Sequence, residues 1–556
     1  MHKTFLFLLC FASIFSRAQT KKIKIISSEI STVDEEKYPG ATILIGNVQI
    51  AHEGAVLDCK RALLYKEKNL FKAVGEVVIE QGDSIIQYSD FAHYDGNSKI
   101  AKSWGNVEVN DKEMKLSTDT LYFDRVKQHL YYPTKGTIKD PKNTLTSNRG
   151  TYYLESKKFS AKSKVYVVNP ENTLESDHLD YYTSSKLAYL YGPSTITNLK
   201  DSTRIYAEKG FYNTNTDVSY FVKNTKLFTK EKTLFADSLY YDKKKGFASA
   251  NHNIKLIDTV QKSIIKGHYA EVFELKDSTF VTEKAVAITI VDNDSMYVHG
   301  DYILATGKPE ERIIRTYNNV KIFKSDLQGK CDSIHTSQKT GLTRMFKNPV
   351  LWANNSQITG DSIQFLNNTI TNNIDSLKVL NNAFMIQKDS VDPTIFNQIK
   401  GRNIYGKFEN NDLTFIQVKG NAESLYYNRN EKSLILETIT KEIASDIEFT
   451  FENNEISLVK YFKQTEGKTF PPSKFPSDEA KFNGFIWREE EQPKSKEDIF
   501  IRDNITIDSK EKGKQKKKKK KKKKSDNPDI KKAEKTYNKE LSKGIKKKMM
   551  SANREK

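Results

Sequence analysis

The chain has 556 residues, with 90 Lys and Arg against 71 Asp and Glu, and three cysteines. This length exceeds what one compact core usually supports, and so few cysteines exclude a disulfide-based framework. Residues 510–556 hold 22 basic and 6 acidic residues, a net charge of +16 out of +19 for the whole chain. The remaining body is nearly neutral, so the basic total does not predict nucleic-acid binding.

The first eighteen residues have the pattern of a secretory signal peptide. Met1-His2-Lys3 is basic, an apolar run extends from Phe5 to Phe15, and Ser16-Arg17-Ala18 offers small residues before a cleavage point. The run is too short for a permanent membrane anchor, and no later run approaches the length of a membrane helix. We therefore expect residues 1–18 to be removed and the rest to be exported.

An aromatic box repeats along the chain after this signal. Its clearest copies are Asp90-Phe-Ala-His-Tyr94, Asp119-Thr-Leu-Tyr-Phe123 and Asp237-Ser-Leu-Tyr-Tyr241. The last aromatic of successive copies falls at positions 65, 94, 123, 153, 182, 212 and 241, in steps of 29 or 30 residues. Later copies continue with more variable spacing. A period of this length is typical of a repeat architecture.

A second box alternates with the first, as in Gly46-Asn-Val48-Gln-Ile50 and Gly105-Asn-Val107-Glu-Val109. Glycine tolerates positive φ, and Val-x-Val places two side chains on one face of a strand. We therefore interpret this box as a turn leading into a strand.

The chain between about residues 40 and 460 shows period-2 patterning and frequent turn residues, without a sustained helical period. This predicts an all-β array of antiparallel strands, two or three per repeat, whose units bury their apolar faces against their neighbours. We divide it into repeats at 19–240 and more divergent repeats at 241–465. Residues 466–509 are expected to form an extended segment that caps the array, and the Lys-rich residues 510–556 to be disordered.

No catalytic motif, metal-binding spacing or cofactor fingerprint is apparent in the sequence. The histidines lack metal-ligand spacing, and the Asp-Ser pairs recur along the array, whereas an active site needs one constellation at one place. We therefore predict a non-enzymatic protein with no cofactor and no metal. The apolar pairs in the boxes allow either a sealed core or an open groove.

The boxes and the signal together resemble the OstA-like family of lipopolysaccharide-transport proteins. The resemblance extends over about residues 25–460 and is strongest from Ala236 to Asp242. It implies a β-jellyroll of two facing sheets with a V-shaped groove that holds the acyl chains of lipid A. The chain departs from the translocon members because a Lys-rich tail stands where they continue into a large barrel.

The resemblance implies a periplasmic carrier that shields lipid A during transport to the outer membrane; association with the outer membrane is left open. Its expected partners are lipopolysaccharide, other OstA-like jellyrolls paired edge to edge, and anionic membrane surfaces through the tail. The residues expected to line the groove are Val48, Ile50, Tyr65, Val77, Ile79, Tyr94, Val107, Val109, Leu121, Phe123, Tyr153, Leu239 and Tyr241. The alternatives are a surface β-solenoid that binds carbohydrate or acts as an adhesin, with exposed aromatic platforms, and a β-helical polysaccharide lyase with its charged residues clustered on one rung.

Overall fold

The computed structural model describes residues 22–81, 85–111, 114–260, 262–291, 294–353, 355–369, 371, 373–409, 412–430, 432–452 and 455–503. The predicted signal peptide and the predicted disordered tail therefore lie outside the described residues. The chain divides into two compact units, which meet between Asn215 and Thr216. The expected boundary at residue 240 falls inside the second unit.

Both units consist of antiparallel β-strands. The strands of the first unit are β1 (Lys24–Ser27), β2 (Ile30–Val33), β3 (Thr42–His52), β4 (Ala55–Tyr65), β5 (Leu70–Gln81), β6 (Ile85–Asp95), β7 (Ile100–Asp111), β8 (Met114–Asp124), β9 (His129–Tyr132), β10 (Gly136–Lys139), β11 (Thr144–Ser147), β12 (Arg149–Tyr153), β13 (Lys158–Val168), β14 (Asn172–Tyr182), β15 (Leu187–Leu190), β16 (Ser194–Asn198), β17 (Arg204–Ala207) and β18 (Lys209–Asn213).

The strands of the second unit are β19 (Val218–Phe228), β20 (Lys232–Asp242), β21 (Phe247–Asp258), β22 (Ser263–Phe273), β23 (Ser278–Thr282), β24 (Val286–Val291), β25 (Asp294–His299), β26 (Tyr302–Thr306), β27 (Ile313–Phe323), β28 (Leu327–Ser337), β29 (Leu342–Phe346), β30 (Val350–Ala353), β31 (Ser356–Thr359), β32 (Ser362–Asn367), β33 (Ile374–Lys388), β34 (Phe396–Glu409), β35 (Asp412–Arg429), β36 (Leu436–Glu452), β37 (Glu455–Phe462) and β38 (Glu466–Phe470). Short 3₁₀ turns lie at Glu274–Lys276, Pro309–Glu311, Pro472–Lys474, Ser477–Glu479, Glu489–Glu491 and Asp498–Phe500.

The long strands bend at a bulge near their middle, which we call a corner. In β3 the pairing with β4 skips two residues, Gly46 and Asn47, and both have positive φ (77° and 42°). The same pair of left-handed residues recurs at Gly75-Glu76, at Gly105-Asn106 and in further strands of both units. Two residues then face one on the partner strand, which bends the strand sharply. The Gly-Asn box is therefore not a turn between strands but the corner inside a continuous strand.

The corners divide the first unit into two sheets between which the chain alternates. Residues 48–58, residues 77–81 with 85–89, and residues 107–111 with 114–118 lie in sheet A, and residues 61–74, 91–104 and 120–132 belong to sheet B. One repeat of about 29 residues thus contributes one hairpin to each sheet. The short edge strands follow the same rule, because β1 pairs with the sheet A half of β3 and β2 with its sheet B half.

The sheets of the second unit enclose an apolar core. Side chains from both halves of the bent strands pack together there. Fully buried examples are Val320, Met345, Ile363, Val379 and Ile447. The strands lengthen towards the end of the unit, where β33 to β36 span 14 to 18 residues. The predicted fold class, an all-β repetitive antiparallel jellyroll, is confirmed.

In the second unit we use the name sheet A for the sheet that contains residues 320–323, 328–331, 383–388 and 396–401. Residues 471–503, the C-terminal segment, run along the outer face of this sheet. Phe482 packs with Phe384, Phe396 and Leu425, and Ala383 and Met385, the strand neighbours of Phe384, point to the core on the other face. Further along, a hydrogen bond from Lys321 to the carbonyl of Ile501 holds the end of the segment. The segment expected to cap the array thus covers a face of the sheet, because its aromatic residues find their apolar partners there.

Candidate functional site

The interior between the two sheets of the first unit is the candidate site. On sheet A, strand pairing aligns Ile50, Leu57, Ile79, Gln87 and Val109 in one row across the strands. Except for Gln87, which donates to Ser103 of sheet B, these side chains are apolar. Because side chains alternate along a strand, every second residue of each hairpin faces this interior.

Sheet B supplies a matching row of larger side chains. Leu64 pairs with Phe71, Phe71 with Tyr94, Tyr94 with Ala101 and Ala101 with Phe123. The row continues through Leu130 to Tyr152 on β12. Its members are nearly inaccessible to solvent, with Leu64 at 1% and Tyr152 at 2% exposure. The interior of the first unit is therefore an apolar layer filled by its own side chains.

A cavity of about 40 Å³ remains at the N-terminal end of this layer. Sheet A contributes Ile50, Leu57 and Ile79 to its walls, and sheet B contributes Phe71 and Phe123. Gln81 and Arg125 also line it, and the Gln81 Oε1 and Arg125 Nε atoms are buried without a hydrogen-bond partner within the described residues. The cavity wall is thus mainly apolar, and its polar residues are His52, Gln81, His93, Tyr94 and Arg125.

Polar side chains join the two sheets at the rim next to this cavity. His52 Nδ1 lies 2.7 Å from the Tyr94 hydroxyl. Arg125 donates to the carbonyls of His52 and Glu53, at 2.9 and 2.8 Å, and to the Tyr94 hydroxyl at 3.3 Å. The Glu53 carboxylate accepts a hydrogen bond from Lys99 at 2.9 Å. We call these five residues the rim latch, since they tie the ends of sheet A strands to the ends of sheet B strands.

The electrostatics of the rim latch follow from these contacts. The hydrogen bond from Lys99 lowers the pKa of Glu53. Burial raises the pKa of the Tyr94 hydroxyl, which outweighs the opposing hydrogen bond from Arg125. The latch therefore holds an ionised carboxylate beside two cations, with a neutral phenol between them at neutral pH.

A second contact of the same kind lies further along the rim. Tyr152 of sheet B donates its hydroxyl hydrogen to Asp111 of sheet A at 3.2 Å, and the Lys157 ammonium lies 3.5 Å from the same carboxylate. Both contacts span the two sheets at the ends of strands, opposite the corners. The corner side of the interior is closed by continuous backbone, whereas the rim side is closed by side chains.

The thirteen residues predicted to line a groove take three kinds of position. Buried residues are Val48, Ile50, Val77, Tyr94, Val107, Val109, Leu121, Phe123 and Leu239. Half-buried residues are Ile79 and Tyr241. Ile50, Ile79, Tyr94 and Phe123 meet at the cavity. Tyr65 and Tyr153 lie on the outer face of sheet B, because Leu64 and Tyr152 take the interior positions beside them.

Apart from Tyr94, the polar members of the site are not among the residues predicted from the sequence. His52, Glu53, Lys99 and Arg125 lie in or beside turns that carry no repeat signal, and only the sheet pairing brings them together. Both cysteines of the described chain, Cys59 and Cys331, are free, and burial raises their pKa values to about 11 and about 12. These thiols are therefore protonated at neutral pH.

The described residues contain no group of three or more His, Cys, Asp or Glu side chains that could hold a metal ion. In the same part of the chain, no helix is long and apolar enough to cross a membrane.

Three comparisons with known proteins give the following results. Residues 20–177 and 197–288 match the family model of the OstA-like proteins. No curated protein matches the chain. A solved structure that is similar to part of this chain is the crystal structure of LptH, the LptA homologous periplasmic component of the conserved lipopolysaccharide transport device from Pseudomonas aeruginosa. The two chains are 18% identical over an alignment that covers 18% of this chain and 76% of that chain, with a TM-score of 0.17. The expected resemblance to the OstA-like family is therefore confirmed over residues 20–177 and 197–288.

Proposed function

We propose that this protein is a periplasmic carrier that holds the acyl chains of lipopolysaccharide between its two sheets during transport to the outer membrane. The observation that carries the proposal is the pair of apolar rows that face each other across the interior of an OstA-like unit. Ile50 and Val109 stand in one row, and Leu64 and Phe123 in the other.

The physical need for such a carrier is large. An acyl chain of about 14 carbons gains roughly 10 kcal/mol on leaving water, so it does not cross an aqueous compartment unaided. An apolar interior that accepts the chain lowers this barrier without any catalytic group. The absence of a recognisable nucleotide-binding motif in the sequence implies that the energy for directional movement comes from a partner.

Loading requires the two sheets to separate, because the interior positions are already filled. The corners cannot open without distorting continuous strands, so the rim is the side that opens. The rim latch closes this side next to the cavity, through the contacts of His52, Glu53, Tyr94, Lys99 and Arg125. Acyl chains then enter sideways between sheet A and sheet B, and the cavity is the point at which separation begins.

The ends of the array offer surfaces for partners of the same fold. In the first unit, the short edge strands β1 and β2 expose Ile26, Ile30 and Val33, each at more than 50%. In the second unit, β37 is largely exposed and includes Leu458 at 47%. Unpaired strand edges accept further strands through their backbone groups. We therefore expect these edges to pair with other jellyroll proteins.

The Lys-rich tail is expected to hold the carrier near anionic lipid surfaces, since each lysine near such a surface contributes about 1 kcal/mol at low salt. Truncation after Asp508 should weaken binding to vesicles that contain an anionic lipid, and the loss should shrink as salt rises. Unchanged binding of the truncated chain would contradict this role.

Photo-crosslinking at adjacent residues tests the interior directly. A p-benzoylphenylalanine replaces either Val109, which is buried in the interior row of sheet A, or Glu108, its neighbour on the outer face of the same strand. Lipopolysaccharide should crosslink in cells to the first variant, as to one at Phe123 beside the cavity, and not to the second. Ile50 and Gln49 form a second pair of the same kind. Equal labelling of both members of each pair, or of neither in a folded protein, would refute the proposal.

A further inference from the structure

The outer face of sheet B in the first unit carries a diagonal stripe of aromatic rings. Phe91 on β6 stacks on Trp104 on β7, with ring centroids 5.5 Å apart and an interplanar angle of 13°. Tyr122 on β8 stacks on Tyr131 on β9 at 5.0 Å and 8°. The stripe ends at Tyr153 on β12, and it crosses five adjacent strands, or roughly 19 Å at the usual strand spacing.

Lys102 and His129 connect these rings into a continuous path. The Lys102 ammonium lies 5.3 Å from the ring of Trp104 and 5.8 Å from that of Tyr122, so it bridges the two stacked pairs. His129 lies 5.6 Å from both Tyr131 and Tyr153, and so extends the path to its end. The aromatic rings, Lys102 and His129 thus follow one another from β6 to β12.

Two basic side chains lie along the stripe. Lys72 and Lys102 form no ion pair within the described residues, although both lie on this face beside His93. Burial lowers the pKa of His93, and the charge of Lys72 and then Lys102 lowers it further despite the opposing effect of Asp95. Of the acids at the margin, Asp124 pairs with Lys127 and Asp180 with Lys158, whereas Asp95 accepts from the neutral donors Asn97 and Ser98 and keeps its negative charge near His93.

The stripe is also accessible and apolar. Phe91 is 36% exposed and Val74 beside it 43%, while Trp104 and Tyr122 are half-buried. Flat rings accept the apolar C–H face of a sugar ring, and neighbouring ammonium groups attract its acidic substituents. Cross-strand stacking alone would account for the ring pairs, but it would not require lysines without acidic partners along them.

We propose that this stripe, comprising Phe91, Lys102, Trp104, Tyr122, Tyr131 and Tyr153, binds a linear anionic glycan on the outside of sheet B. Each stacked pair supports a sugar ring, and Lys72 and Lys102 bind the acidic groups of the chain. The site is separate from the interior that holds acyl chains in the proposed function, and it attaches the carrier to a polysaccharide of the compartment in which it works.

Tryptophan fluorescence of the full chain tests this site, since Trp104 is one of only three tryptophans. Polygalacturonate, with one carboxylate on each sugar, should change the emission at saturating concentration, and the Trp104→Phe variant should lose that change. Replacing Tyr122→Thr or Lys102→Gln should weaken binding about tenfold or more, the loss of one ring or one charge contact. The control Tyr88→Thr, an exposed tyrosine on the outer face of sheet A, should bind as the parent does.

Two further probes test whether binding requires both the charge and the sugar rings of the glycan. Neutral dextran and polyphosphate should each bind the stripe much more weakly than polygalacturonate, because one lacks the charge and the other lacks the sugar rings. Equal binding of either probe at Trp104 would overturn the proposal, as would an unchanged affinity of the folded Tyr122→Thr and Lys102→Gln variants. These outcomes are independent of lipopolysaccharide crosslinking at Phe123, so failure of one site leaves the other intact.

Discussion

Replacing Arg125 with methionine should open the rim of the first unit. The guanidinium donates to two backbone carbonyls of sheet A and to the hydroxyl of Tyr94, at 2.8 to 3.3 Å. Hydrogen bonds from a charged donor contribute about 1.5 to 3 kcal/mol each, and the lower value applies to this half-exposed side chain. Counting the two shorter bonds, to the backbone carbonyls, the closed rim should lose about 3 kcal/mol, which raises the open population on the order of 100-fold.

Hydrogen exchange and lipid uptake measure this effect together. Amides of residues 50–58 and 91–95 should exchange faster in Arg125→Met, and a dansyl-labelled fatty acid should associate faster. Arg149→Met is the matched control, because Arg149 is exposed on β12 and forms no ion pair within the described residues. Faster exchange without faster association would show that the rim is not the route of uptake, and unchanged exchange would show that Arg125 does not hold it closed.

Three further predictions concern stability. Gly54→Ala should lower the free energy of unfolding by about 1 kcal/mol, because Ala is strained at the positive φ of this position. Gly105→Ala should lower it further, because the new Cβ would also lie 2.7 Å from a carboxylate oxygen of Asp90. Urea denaturation measures both losses, and equal losses would contradict this reasoning. Burial would raise the pKa of Asp180, but hydrogen bonds from an adjacent imidazole and ammonium lower it to about 2. Its roughly 2 kcal/mol of stability is present above pH 4 and lost as the pH falls towards 2, so Asp180→Asn should flatten the acid-unfolding profile in that window; an unchanged slope would count against it. Gln398→Leu removes two hydrogen bonds to the C-terminal segment and should therefore speed its cleavage by trypsin. The control Gln387→Leu changes an exposed residue and should leave the cleavage rate unchanged. Equal cleavage rates of the two variants would show that these bonds do not hold the segment.

The sequence was sufficient to predict the all-β repeat, because strand alternation and the 29-residue spacing are local properties of the chain. It was not sufficient to predict on which face of a sheet each side chain lies. The last aromatic of each box was assigned to the interior, which holds for Tyr94 and Phe123, whereas Tyr65 and Tyr153 point outwards. A shift of one residue at the corner reverses the face of every side chain in the following hairpin, and spacing alone does not reveal it.

The polar part of the site was beyond prediction for a different reason. Glu53 and Arg125 are more than 70 residues apart, and neither belongs to a recurring box. Their contact depends on how two sheets meet at the rim, which is a property of the whole unit. The C-terminal segment shows the same limit: its aromatic residues predicted a closing role, but the position of Phe482 depends on which face of sheet A is left uncovered.

The corners have a consequence for the size of the cargo. Each long strand of the first unit passes through its corner as continuous backbone, while side chains join the opposite ends. A molecule that enters sideways therefore never has to be threaded through a closed ring of protein. Its polar part can remain outside in water at any length, branched or linear, so one and the same interior could serve amphiphiles with headgroups of very different mass.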